Sequence, residues 1–181
     1  MFDRLWNYAA RLLQRHPKLI ERLIARAQRT PYFPLEGYMN RWWILPPPVS
    51  RGKRGFWRVG NQLRRLLPFS IRIHQISRAD HERHLHNHPW TFRTIILTGW
   101  YSEEYLTAPG DLANRVVWAG ESYKRRVGEF HRINAVPPKG VYTLVFHRNK
   151  STWWGFLVDG VCVYWRTYFY GEPMPERLEE R

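Results

Sequence analysis

Between residues 70 and 170 the chain is a succession of short runs rich in β-branched and aromatic residues. Gly, Pro, Asn or Asp separates one run from the next. SIRIHQIS, TFRTIILTGWYSEEY, NRVVWAG, GVYTLVFH, WWGFLVD and VCVYWRTYFY each suit a pleated, half-buried surface. Several short strands with turn signals between them predict a mainly β body, a sandwich or a closed barrel. SIRIHQIS shows the alternation most clearly. Ile71, Ile73 and Gln75 share one face; Arg72, His74 and Ile76 share the other. YMNRWWIL, before a Pro46-Pro47-Pro48 loop, is a further strand candidate, and NQLRRLLPF reads as a turn of helix.

The first thirty residues have a different period. Phe2, Leu5, Trp6, Ala9, Leu12 and Leu13 recur at helical spacing, with Arg4, Arg11 and Arg15 between them. His16-Pro17 interrupts the pattern, and Pro17 suits the first turn of a second helix carrying Leu19, Ile20, Leu23, Ile24 and Ala27. We expect residues 1–30 to form a basic helical extension and residues 31–181 a β-domain. The extension's apolar face is expected to pack on that domain, with a membrane-surface or partner-binding role as the sharper alternative. The tail, GEPMPERLEER, is polar and expected to fray.

Charge and cysteine content narrow the classes. With 29 Lys+Arg against 15 Asp+Glu the net charge is +14, a field that attracts polyanions. Nucleic acid is therefore one candidate partner, although no nucleic-acid motif is present. A single cysteine, Cys162, excludes an internal disulfide framework and a thiolate zinc knuckle. Its apolar setting, VCVYW, predicts an inert core thiol. No segment reaches the roughly twenty apolar residues that a membrane span needs, and no signal peptide is visible. The reading is a soluble, cytoplasmic protein. P-loop, GxGxxG and nucleophile-elbow patterns are absent.

The densest chemical signal is HERHLHNHPWTFRTIIL, residues 81–97. On a strand His84, His86 and His88 point to one face, and neighbours two apart come close enough to share one divalent ion. Pro89 marks a strand end, which directs His86 and His88 into the barrel. The third ligand must come from downstream. His131, in GEFHRIN, is the first candidate; His147, at the end of GVYTLVFH, is the second, and His84 is a further reserve.

LHNHPWTFRTIILTGWYSEE resembles the first motif of cupins, an H-x-H pair followed by a strand ending at Gly, here Gly99. YKRRVGEFHRIN resembles the second motif through Gly128, His131 and Asn134. The chain is also similar to a group of small bacterial and phage cupin-like proteins. Their pattern is met by Arg41-Trp42-Trp43, Leu85 to Trp90, Gly99 to Glu103, His131-Arg132, Trp154-Gly155-Phe156 and Trp165, with Arg78 and Asp80 closer together than it asks. The resemblance covers residues 38–170 and implies a cupin-type double-stranded β-helix barrel behind the N-terminal amphipathic α-helices. It also implies a homodimer.

One departure bears on the chemistry. Cupins carry a Glu ligand four or five residues after the second His, where this chain has Phe92 and Arg93. The resemblance then implies a three-histidine set of His86, His88 and His131, as in cysteine dioxygenases, with Glu103 as an additional ligand only if it reaches back into the barrel. Iron(II) is the first choice of metal, with zinc, manganese or nickel as alternatives. Three neutral ligands leave the ion its full charge and open positions, which suits oxygenase-type chemistry on a small anionic molecule. Arg72, Arg93 and Arg126 are candidate clamps for its carboxylate or phosphate. Tyr101, Tyr142, Trp90 and Trp118 are candidate pocket walls, and Arg93, Arg126 and Tyr101 the first candidates for catalytic roles. Small-molecule binding without catalysis, or isomerase chemistry with a His base and a Tyr acid, is the alternative.

Overall fold

The computed structural model describes residues 2–35, 37–46, 69–108, 110–148 and 150–176. The proline loop from Pro47, most of NQLRRLLPF and the last five residues lie outside them. Two helices open the chain, α1 (Phe2–Gln14) and α2 (Pro17–Ala27), the second starting on Pro17 as its fixed φ allows. Eleven strands follow among the described residues: β1 (Pro31–Leu35), β2 (Met39–Leu45), β3 (Ser70–Ile76), β4 (Phe92–Thr98), β5 (Trp100–Leu106), β6 (Leu112–Trp118), β7 (Ser122–Arg125), β8 (His131–Ala135), β9 (Val141–His147), β10 (Gly155–Val158) and β11 (Val161–Tyr164). A short helix, α3 (Trp165–Tyr170), follows β11 directly.

The strands pair antiparallel in a six-stranded sheet of order β1-β2-β3-β9-β4-β7, a three-stranded sheet β6-β5-β8 and the hairpin β10-β11. Residues 85–87 join the last two. His86 bridges His131 on one side and Phe156 on the other.

The register of the large sheet divides its residues cleanly. Ile73 lies opposite Leu144, and Leu144 opposite Ile95. These three pack with Leu97 against Ala10, Ile20 and Ala27 of the two helices, with Trp6, Leu13 and Phe146 at the margin. Burying one such aliphatic side chain stabilises the fold by about 1.5–3 kcal/mol. The amphipathic helices therefore cover the outer face of the sheet. Among the described residues no helix is long and apolar enough to cross a membrane. The alternate residues face inward, where Ile76, Ile96, Tyr101, Val117, Ile133 and Val141 form a second apolar cluster.

Two sequence expectations are corrected. The run WRTYFY is helical, not strand. Turning it into a helix lets Tyr168 stack on Phe156 at 4.2 Å and Trp165 meet Trp154 at 5.4 Å, and Gly171 ends the turn in the left-handed region. Aromatic packing here overrides strand propensity. Cys162 lies on an exposed stretch of β11 rather than in the core.

Gly140 shows how tightly the sheet edge is built. Its φ is +71°, and a Cβ there would meet the Ile76 carbonyl oxygen at 2.6 Å. Replacing it with Ala is expected to cost about 1–3 kcal/mol, read as a lower midpoint in urea denaturation with an unchanged slope.

Candidate metal centre

His86 and His131 face each other as a directly opposed antiparallel pair. The His86 N–H donates to the His131 carbonyl at 2.8 Å, and the His131 N–H returns the bond at 2.9 Å. The other edge of the segment is tied equally well. Leu157 N–H donates to the Leu85 carbonyl, Asn87 N–H to the Gly155 carbonyl, and Gly155 N–H to Asn87 Oδ1. Residues 84–91 otherwise form no ladder, so the H-x-H-x-H stretch is not the regular strand its alternation suggests. Pro89 accounts for part of this, because it cannot donate to a neighbour.

The consequence is a convergence of three imidazoles. One ligand nitrogen from each of His86, His88 and His131 lies within 4.8 Å of the others. His88 Nε2 and His131 Nε2 are 2.9 Å apart. The ring centroids are separated by 5.1 Å for His86–His88, 4.7 Å for His86–His131 and 5.1 Å for His88–His131.

A carboxylate backs the cluster. Glu103, on the inner face of β5, is fully buried, and its Oε2 accepts from His131 Nδ1 at 2.7 Å. That bond places the His131 proton on Nδ1 and leaves Nε2 with its lone pair directed at the other rings. Arg125 Nη2 also donates to Glu103 Oε2, at 2.8 Å, and Arg115 pairs with Oε1. Behind His86, Asp80 Oδ2 stands 3.7 Å from Nδ1 while accepting from the Ile133 amide at 2.7 Å. Burial holds the pKa values of His88 and His131 well below the ordinary histidine value and lowers that of His86. The neighbouring imidazoles and Arg125 depress His88 and His131 further. The rings are neutral at physiological pH, the form that binds a metal.

The other expected residues are distributed elsewhere. Glu103 stands behind His131 rather than among the ligand atoms. His84 leaves the group and meets the Tyr168 hydroxyl through Nδ1 at 2.8 Å. His147 also lies apart, its Nδ1 on the Arg148 carbonyl at 3.0 Å and its ring against Trp43 and Trp90. Arg72 is on the inner face, 2% exposed, its guanidinium about 5 Å from the Trp43 and Trp90 rings. Trp90 thus walls the interior.

Arg93 does not. It points to the outer face, paired with Asp3 of α1, bonded to Ser122 and lying over the Trp6 ring. Arg126 is exposed, one residue past the end of β7, whereas Arg125 next to it is 3% exposed and points in. Tyr101 is buried on the inner face of β5 and shares a hydrogen bond with Tyr123. Burial raises its pKa, so its hydroxyl stays protonated. Tyr142 packs on the outer face beside Trp42, and Trp118, 54% exposed, stacks on Trp100 away from the histidines. Sequence reasoning missed Arg125, Arg115 and Asp80. Glu103 enters the sequence reading only as an additional ligand, not as the partner of His131 Nδ1.

No family model matches the chain, and no curated protein matches its sequence. Solved structures do match. An arginine-to-alanine mutant of Bacillus subtilis oxalate decarboxylase aligns over 81% of this chain and 33% of its own, at 11% identity and a TM-score of 0.52. A two-residue deletion mutant of the same enzyme aligns over 82% and 33%, at 10% identity and a TM-score of 0.51. A third structure of that decarboxylase, from work on its Mn(II) centres, aligns over 79% and 32%, at 12% identity and a TM-score of 0.51. The chain spans about a third of the length of these decarboxylase chains. At such identities the likeness shows a fold shared with the decarboxylase and nothing further.

The buried histidines make stability pH-dependent. His147 is pushed down to about 3 by burial first and by Arg72 second. A group with a depressed folded pKa adds stability above its unfolded value, near 6.5, and that stability is lost as pH falls toward the folded value. Each pH unit inside that window removes about 1.4 kcal/mol per histidine, so His147 alone costs about 2 kcal/mol at pH 5. Urea denaturation of metal-free protein at pH 7.5 and pH 5.0 is expected to show the loss. In His147→Gln the difference shrinks.

Proposed function

We propose that the chain is a mononuclear, divalent-metal cupin whose centre is His86, His88 and His131, with oxygenase-type activity on a small anionic molecule. The observation that carries this reading is the convergence of the three ligand nitrogens within 4.8 Å, with His131 oriented by a buried carboxylate. Three imidazoles suit iron, manganese, nickel or zinc. The three ligand nitrogens lie within 4.8 Å of one another, which leaves the choice among these ions to be made by metal analysis. The decarboxylase of similar fold has Mn(II) centres.

When bound, such an ion supplies a Lewis acid with open positions for an anionic ligand and for dioxygen. The protein's own groups do the rest. Glu103 holds the orientation of His131, and Asp80 places a negative charge behind His86. Arg72 shares the inner face of the large sheet with the neutral rings of His74 and His147 and gives that wall its positive charge, and Trp43 and Trp90 lie against the guanidinium. This wall supports an anionic substrate.

Protein purified without an affinity tag is expected to hold about one equivalent of one of these four metals, absent from a His86→Ala/His88→Ala variant that still folds. With iron bound, oxygen consumption in the presence of small mono- and dicarboxylates tests the oxygenase reading. Failure to take up any of the four metals on titration overturns the centre itself.

Glu103→Gln tests the support. It is expected to weaken metal binding about 10–100-fold, because His131 loses its charged partner. It is also expected to destabilise the fold by about 3–5 kcal/mol, since Arg125 stays buried without its counter-charge.

A further inference from the structure

The two helices present apolar residues on both sides, and the sheet uses only one of them. Ala10, Ile20 and Ala27 pack on the large sheet with Trp6 and Leu13. On the side of α1 turned away from it, Leu5, Tyr8 and Leu12 recur at i, i+3 and i+7, which places them on one face. With Leu19 of α2 they are between 43% and 68% exposed. A helix that only covers a core carries polar residues on that outer side. Large apolar side chains grouped there mark a surface that meets something else.

Cations run beside these groups. Arg4, Arg11 and Arg15 are exposed on α1 and the turn after it, and Lys18, Arg22 and Arg26 on α2. Their spacings line each set along its own helix. The helices carry two acids against them, Asp3 and Glu21, and Asp3 is taken by Arg93. The exposed side of the helices is therefore both basic and apolar, and that combination selects the partner. A nucleic-acid backbone would use the cations and leave the leucines in water. A bilayer surface with acidic headgroups uses both. Arginine and lysine meet the phosphates, and the leucines reach the acyl boundary. Tyr8 suits that depth, with an apolar ring and a hydroxyl that stays wet. Packing on the sheet already holds the helices in shape, so docking carries no cost of folding them.

We infer that the outer side of α1 and α2 is a docking surface for a membrane bearing acidic phospholipids, with Leu5, Tyr8 and Leu12 at the headgroup boundary and the flanking cations on the phosphates. The contact is peripheral, since no described helix is long and apolar enough to cross a membrane. The inference does not depend on the metal reading, because the histidines lie on the other side of the sheet that the helices cover.

The test is co-sedimentation of full-length protein with vesicles at physiological ionic strength. One set holds three parts phosphatidylcholine to one part phosphatidylglycerol, and the other phosphatidylcholine alone. The protein is expected to bind the first set, and the second at least tenfold more weakly. Each cation near a charged membrane is worth roughly fivefold in binding, so Arg11→Ala/Arg22→Ala is expected to weaken it at least tenfold. Arg83→Ala/Lys139→Ala, exposed cations outside the helices, is expected to leave it within twofold. Leu5→Ser/Tyr8→Ser is expected to weaken vesicle binding at least threefold and to leave binding to a DNA duplex within twofold. Where one of these variants does not fold, Lys18→Ala/Arg26→Ala replaces the cation pair and Leu19→Ser the apolar pair. No binding to the anionic vesicles overturns the surface. Equal weakening by the two cation pairs also overturns it, as attraction to the overall charge. Vesicle binding unmoved by Leu5→Ser/Tyr8→Ser, beside duplex binding at least as tight, overturns it in favour of a nucleic-acid face.

Discussion

The buried carboxylate of Glu103 is the interaction on which the interior depends. It is fully enclosed, and it meets His131, Arg125 and Arg115 at once. Neither Glu103 nor Arg125 could sit in the interior alone. An isolated carboxylate or guanidinium out of water is prohibitively costly, and even a matched pair needs its remaining donors and acceptors filled. Together the four residues bring polar groups from β5, β6, β7 and β8 to one point. The same carboxylate fixes which nitrogen of His131 carries the proton. A structural ion cluster and the orientation of a ligand ring are thus one feature.

Backbone geometry does the complementary work. His86 and His131 exchange both main-chain hydrogen bonds, so their side chains leave the backbone at a fixed spacing. Asn87 clamps Gly155 from both its backbone and its side chain, which holds the segment to β10. His88, just past this clamp, gains its position from packing. Its ring lies 4.7 Å from Phe92 and is enclosed by the other two histidines. Two ligands are therefore placed by the sheet and one by the core.

Much of this was legible in the sequence. The helices, the break at Pro17, and β2, β3 and β9 follow from periodicity alone, and the two face sets of β3 follow from its alternation, though not that Arg72, His74 and Ile76 are the set that turns inward. The three-histidine grouping needed only H-x-H spacing and one downstream His. What could not be read was parity where both faces of a strand are buried. FRTIIL is apolar on both sides of Arg93, so nothing local says that Arg93 points to α1 and Asp3. In SYKRR the two arginines are adjacent, and a shift of one residue decides that Arg125 rather than Arg126 turns inward. Tyr142 faces the helices for the same reason, whereas Trp118 lies on the exposed face of β6. The helical fate of WRTYFY depends on stacking with Phe156 and Trp154, partners nine or more residues away, which a local window does not contain.

The displacement of the carboxylate also bears on how the proposed centre would work. A Glu four or five residues after the second His would sit among the ligands and neutralise one unit of the ion's charge. Here those positions are Phe92, packed on His88, and Arg93, turned outward. The carboxylate comes instead from β5, one imidazole removed, and its charge is already answered by two arginines. With Arg72 on the facing wall, the interior carries an excess of positive charge before any ion is counted. In the proposed centre that excess would favour a bound molecule that brings its own negative charge, with the buried arginines acting through the local potential.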